Sequence, residues 1–188
     1  MGTAKGERRR HELVTAAAAL LGEGGFDAVR HRAVAERAGL PLASTTYYFD
    51  SLDELITAAV EKHGRDGLAD GRARLAAASV DRTELLELFL DQLLSPESRD
   101  GGLEAVLLRY EQLIGSGRRP YLAPLMREMR VELDALLGEI LARAGHAAGP
   151  AEIHDLVSVV DGEVVSALIE ADPDPRGVAR RVLARTLP

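Results

Sequence analysis

The 188-residue chain has no cysteine and no tryptophan, and aromatic residues make up only 4% of it. Without thiols, neither a disulfide framework nor a thiolate metal site can form. No apolar run approaches the roughly 20 residues that a bilayer-spanning helix needs. The N-terminal stretch Met1 to Arg10 is charged, and the Ala-rich segment behind it is interrupted by Glu12 and Glu23, unlike a secretory signal. The expectation is a cytoplasmic protein with no membrane partner.

What is present is a hydrophobic share of 46%, carried mainly by Ala, Leu and Val. That is enough for a core, and Ala and Leu favour helix. The net charge of -7 argues against a nucleic-acid partner for the chain as a whole. Its distribution argues the other way. Residues 1–49 hold 7 Lys/Arg against 5 Asp/Glu, leaving 16 against 25 for the remainder. A mildly basic head on an acidic body suits a protein that meets DNA at one end.

Apolar periodicity and Gly/Pro punctuation predict an all-α chain of about nine helices. The first spans about 4–21 and is stopped by Gly22, Gly24 and Gly25. Short helices follow at about 31–38 and 41–48, separated by Gly39. Ser51 and Glu54 have capping-box spacing, each side chain expected to satisfy the other's N–H, and start a fourth helix running toward Ala78. Further helices are expected at about 82–94, 103–114, 124–144 and 150–171. The last is expected from Pro175 to near Leu187, with Asp174 as its N-cap.

The informative stretch runs from Phe26 to Leu55. Two helices of two turns each cannot repay nucleation alone and must pack on their neighbours. A tight helix-Gly-helix corner is a helix-turn-helix, whose second helix can enter the major groove. That helix carries Ser44, Thr45, Thr46, Tyr47 and Tyr48, hydroxyls and phenols able to bond phosphates and base edges and to touch thymine methyls.

Ala35, Arg37, Ala38, Gly39, Leu40, Ser44, Tyr47, Phe49, Ser51, Glu54 and Leu55, with Gly25-Phe26 before them, together resemble the N-terminal domain of TetR-type regulators. The resemblance covers roughly residues 8–62. It implies a helix-turn-helix DNA-binding domain over 1–65 and a helical ligand-binding and dimerisation domain over 66–188. It further implies a homodimeric repressor that binds a palindromic duplex operator and is released by a small molecule. DNA contacts carry over to Arg30, His31, Arg32, Ala43, Ser44, Thr45, Thr46, Tyr47 and Tyr48, while Phe49 is expected in the core. Leu42 and Leu52 depart from the pattern, standing where Lys is common, and Arg30 stands where a capping Thr is usual. Lys5 and Arg8 to Arg10 either reach the adjacent groove or form a solvated helix face.

In the second domain the helix at 151–171 is apolar around most of its circumference, which requires burial on two sides. The second side is either a partner subunit or an internal core. The interface reading names Val157, Val160, Val164, Leu168, Val178 and Val182. Candidate pocket residues are Leu107, Tyr110, Glu111, Tyr121, Met126, Met129 and Asp161, although an apolar stripe at helical spacing also describes plain core.

No cofactor, metal or catalytic residue is expected. His11, His31, His63, His146 and His154 form no H-E-x-x-H motif. His154 and Asp155 are direct neighbours on one helix and point apart. Gly22-Glu23-Gly24-Gly25 lacks the pattern of a phosphate loop. A helical adaptor of the same fold without DNA binding is the alternative, favoured by Leu42 and Leu52 and opposed by Arg32, Ser44, Tyr47 and Tyr48.

Overall fold

In a computed structural model, which describes residues 4–187, the chain divides into two units. One comprises Met1–Asp66 with Ile114–Leu125, the other Gly67–Leu113 with Met126–Pro188. The sequence-based division ran 1–65 and 66–188. The segment Ile114–Leu125 departs from it by falling with the N-terminal unit, and residues 1–3 and 188 of that division lie outside the described ones. Nine α-helices and one 3-10 turn are present among the described residues.

The N-terminal unit begins with α1 (Ala4–Ala28). It continues through Gly22 and breaks at Gly24 and Gly25, where φ 66° at Gly25 demands glycine, before a last turn to Ala28. Then follow α2 (His31–Ala38), α3 (Leu42–Tyr48) and the first half of α4 (Leu52–Ala77). Leu13, Ala17 and Leu21 of α1, Val34 of α2, Phe49, and Leu55 and Ala59 of α4 are buried and form this unit's core. The corner between α2 and α3 is a Schellman cap. Gly39 sits in the left-handed region, Leu40 N–H donates to Ala35 O at 3.0 Å, and Gly39 N–H donates to Glu36 O at 3.2 Å. The corner therefore stays short enough for two small helices to share one core.

The start of α4 is capped as its sequence suggests, with one correction. Ser51 Oγ accepts from Glu54 N–H at 3.1 Å, but the Glu54 carboxylate accepts from the N–H of Asp50, 2.8 Å away, rather than from that of Ser51. The rest of the unit is a 3-10 turn at Pro120–Leu122 and the residues around it, with Leu122 buried.

The second unit contains the C-terminal half of α4, α5 (Arg82–Leu94) and most of α6 (Ser98–Gly117). It also contains most of α7 (Ala123–Arg143), with α8 (Pro150–Ile169) and α9 (Pro175–Thr186). Asp81 caps α5 through Glu84 N–H at 2.9 Å, and Asp174 caps α9 through Gly177 N–H at 2.8 Å. One apolar core joins these helices, with Phe89, Leu90 and Leu94 of α5, Leu137 and Ile140 of α7, and Val157 and Val160 of α8 at its centre. Buried charge accompanies it. The Asp91 carboxylate, fully enclosed, receives Arg74 at 2.5 Å, Arg99 at 2.7 Å and Arg176 at 2.8 Å, from α4, α6 and α9. The Arg143 guanidinium donates to the carbonyls of Leu75 and Ala78 at 2.5 and 2.7 Å, supplying partners that the end of α4 lacks.

Candidate nucleic-acid interface

The α2–α3 pair presents its polar groups unevenly. On α3, Leu42, Ala43, Thr46 and Tyr47 are exposed, Ser44 and Tyr48 are half-buried and Thr45 is buried. Tyr47 is the most open of these, at 79%. Its ring meets that of Tyr48 edge-on, with centroids 4.8 Å apart. This pair forms an aromatic ridge at the end of the helix.

Thr45 is a correction to the set of DNA contacts read from the sequence. Its residue surface is 0% accessible, and its hydroxyl donates to Leu42 O at 2.8 Å. It packs inward one turn before Phe49, which is buried as expected, and its satisfied hydroxyl makes a threonine acceptable there. Thr46 also donates to the backbone, to Ala43 O at 3.3 Å, but remains exposed.

At the start of α2, Arg30 occupies the N-cap without capping, and its Nε donates back to Asp27 O at 3.0 Å. His31 is half-buried, with Nδ1 enclosed and unpartnered. Arg32 is exposed and free of ion pairs among the described residues. Arg37, in the last turn of α2, is instead engaged by Glu23 of α1 through two hydrogen bonds of 2.8 and 2.6 Å. The hydrogen bonds from Arg37 hold the Glu23 carboxyl below its ordinary range. The guanidinium of Arg10 lies 5.0 Å from the centroid of the Phe49 ring and 4.0 Å from Glu54, and Arg8 pairs with Glu12 at 3.6 Å. Lys5 and Arg9 are exposed cations of the same helix. Leu42 is exposed and Leu52 half-buried.

The surface thus offers a groove-sized helix with hydroxyls, phenols and methyls outward, flanked by cations of α1 and α2. This geometry matches the comparisons with known proteins. Residues 13–59 match the family described as "Bacterial regulatory proteins, tetR family", and residues 80–188, more than half of the chain, match "Tetracyclin repressor-like, C-terminal domain". The chain belongs to the TetR family. It is accordingly a transcriptional regulator of an all-α, non-enzymatic family.

Among relatives of this TetR-family chain, the HTH-type transcriptional dual regulator CecR of Shigella flexneri is 33% identical over 95 residues, which cover 47% of the chain and 42% of CecR. The match therefore spans less than half the length of that curated relative. The multidrug binding protein EbrR complexed with proflavin is 34% identical at a TM-score of 0.66, covering 94% of this chain and 98% of that one. A TetR-family member (SCO1917) from Streptomyces coelicolor A3 is 30% identical at a TM-score of 0.59, covering 96% and 98%.

The residues proposed from sequence for an effector pocket do not all come together. Tyr110 and Asp161 do. The buried Tyr110 hydroxyl donates to Asp161 Oδ1 at 2.7 Å, joining α6 to α8. Burial, then the charge and hydrogen bond of Asp161, push the Tyr110 phenol far up, so it stays a neutral donor. Leu107, Met126 and Met129 are half-buried in the same unit, and Glu111 is exposed. Tyr121 is a correction. It lies in the N-terminal unit near Asp53 at the start of α4, where burial first and then Asp53 push its phenol up. Sequence reading missed Arg109, which adjoins this pair. Its Nε donates weakly to Leu93 O at 3.4 Å, and burial lowers its pKa, opposed by the charges of Tyr110 and Asp161. An arginine among Leu107, Leu108 and Tyr110 on one helix is the signal that could have found it.

The interface residues need the larger correction. Val157, Val160, Val164 and Val182 are buried within the chain itself, in the common core with α5 and α7. Leu168 and Val178 are half-buried. The apolar circumference of α8 is satisfied mostly from inside, and the exposed side is a different stripe. Ser158, Gly162 and Ser166 follow one another at four-residue steps, beside Val159 at 49% and Ile169 at 80% exposure. Among the described residues, no group of His, Asp or Glu could hold a metal ion, and no helix is long and apolar enough to cross a membrane.

Proposed function

We propose that the chain represses transcription in the cytoplasm as a homodimer that binds a palindromic duplex operator through α3 and is released by a small molecule. The observation that carries this reading is the outward face of α3, held over a shared core by the Gly39 corner, with Tyr47 standing free. Ser44, Thr46, Tyr47 and Tyr48 supply contacts to bases and phosphates. Arg30, His31 and Arg32 supply phosphate contacts at the start of α2, with Ala43 against the groove. Paired half-sites require paired recognition helices. The stripe of Ser158, Gly162 and Ser166 on α8, flanked by Val159 and Ile169, lets a second helix approach closely and supplies the apolar contact of a two-fold interface.

The effector reading is supported by the likeness to EbrR, whose structures are described as complexes with proflavin, ethidium and malachite green. The Tyr110–Asp161 pair gives the second unit a polar anchor in an apolar surround, suited to orienting a ligand. Ligand and DNA then oppose each other by the same factor in both directions.

The test is a titration of the full chain against DNA flanking its own gene at two salt concentrations, with Tyr47→Ala and Arg32→Ala alongside. Salt-sensitive binding to one fragment, weakened about tenfold or more in both variants, is the expected result. Failure to bind any fragment, or any duplex selected from random sequence, would put the adaptor reading in its place.

A further inference from the structure

The chain contains no asparagine, and its two glutamines, Gln92 and Gln112, both lie in the second unit. The N-terminal unit therefore has no side-chain amide, the group that pairs bidentately with adenine in the major groove. Helix α3 reads Leu-Ala-Ser-Thr-Thr-Tyr-Tyr, so it also lacks the guanidinium or ammonium that pairs with guanine. Its outward positions, Leu42, Ala43, Thr46 and Tyr47, fall at i, i+1, i+4 and i+5 on one face, and all are exposed. Leu42 is 47% accessible, where an unpaired apolar side chain gains nothing from water. The Thr46 hydroxyl is already drawn to Ala43 O.

We infer that α3 reads its operator through thymine 5-methyl groups, with Leu42 and Ala43 as the specificity-determining residues. This rests on the operator-binding reading above and narrows it to one chemistry. A thymine methyl is the one apolar feature in the major groove, and an aliphatic side chain against it distinguishes A·T from the other pairs without a hydrogen bond. The cations of α1 and α2 fix the register on the phosphates and carry no such information. The positions facing α3 in each half-site are A·T pairs whose thymine lies toward Leu42 or Ala43.

The experiment selects duplexes from random-sequence DNA with the full-length protein, then replaces each thymine of the selected half-site in turn by deoxyuridine, which removes only the methyl. The expected result is a loss of about three- to fivefold per half-site at one or two thymines. Leu42→Ala should bind the parent site more weakly and no longer distinguish uracil from thymine at its own position. Leu42→Gln supplies the missing amide and should shift the selected base toward adenine on the contacted strand. Equal affinity for thymine and uracil at every position, or a selected half-site with G·C pairs opposite α3, would overturn the inference while leaving operator binding intact. Selection of no sequence at all would overturn both.

Discussion

The guanidinium of Arg119 stacks over the ring of Phe26, its central carbon 3.8 Å from the centroid. Phe26 belongs to the last turn of α1 and Arg119 to the connection between α6 and α7, so this contact joins residues 93 positions apart within the N-terminal unit. The same guanidinium donates to Gly115 O at 2.8 Å. A Cβ at Gly115 would sit 3.1 and 3.2 Å from two ring carbons of Phe26, tighter than ordinary contact. Tyr121, in the same segment, lies near Asp53 of α4. These contacts explain why Ile114–Leu125 folds with α1 to α4.

Arg119→Ala is expected to destabilise the N-terminal unit by about 1–2 kcal/mol, since it removes both the cation–π contact and its packing. Gly115→Ala should also destabilise it, because the Phe26 ring must give way. Urea unfolding followed by the tyrosine signal measures both. Wild-type midpoints in both variants would show that the stack contributes nothing.

Acid should unfold the second unit through its buried carboxylates. Burial pushes the Glu87 carboxyl up, but hydrogen bonds from Arg180 and Arg176 outweigh it and hold the group at about 2. Asp91 is likewise raised by burial and brought down further by Arg99, Arg74 and Arg176, ending below its ordinary value. A folded-state pKa below the unfolded one gives stability that is complete above the unfolded pKa and is lost as pH falls. The loss for Glu87 should therefore run from about pH 4.5 down to about 2. Glu87→Gln should flatten the fall in stability over that range. Asp91→Ala takes the shared carboxylate from Arg74, Arg99 and Arg176 and leaves the 4%-exposed Arg176 with Glu87 and Ser98, so it should cost about 3 kcal/mol at neutral pH. A pH profile identical to wild type in Glu87→Gln would refute the assignment.

The parts legible in the sequence are those set by local rules. Gly39, the Ser51–Glu54 spacing and Asp174 each mark a helix end because caps depend on residues within one turn. Family membership was legible for the same reason, as its pattern lies on one short stretch. Side chains whose surroundings come from distant chain segments were not. Tyr121 sits on an apolar stripe like any pocket residue, and nothing nearby in the sequence announces that it folds with the N-terminal unit, near Asp53. Val157, Val160 and Val164 satisfy the pattern of an interface helix and of a core helix alike; only the packing of α5, α7 and α9 around α8 decides between them. Thr45 was misread because its residue type suggests a contact, whereas its spacing of four from Phe49 marks an inward position.

That reassignment separates two neighbouring threonines. Thr45→Val keeps the buried shape and removes a hydroxyl bonded to Leu42 O, so it should cost at most about 1.5 kcal/mol of stability and leave DNA affinity within about twofold. Thr46→Val changes an exposed position on the outward face and should alter DNA affinity without altering stability. Paired measurements of thermal midpoint and fluorescence-anisotropy binding settle the matter. A large loss of DNA affinity in Thr45→Val with an unchanged midpoint would return that residue to the interface.

Helix α8 offers the same kind of contrast between its two sides. Val160 is fully enclosed in the chain's own core, while Ile169 is 80% exposed at the end of the helix and Ser166 lies on the exposed stripe. Val160→Asp buries an unpaired carboxylate and should unfold the second unit, lowering helicity and solubility together. Ile169→Glu and Ser166→Arg place charge on an open surface, so the monomer should keep its helicity and thermal midpoint apart from any concentration-dependent part. What they should lose is self-association, because like charges meet across a two-fold axis. Sedimentation velocity should then show a folded monomer and DNA titration a loss of at least tenfold, since each half-site would have to be occupied independently. If both surface variants sediment as dimers, the subunits meet elsewhere, and the small-residue stripe on α8 is a solvated face.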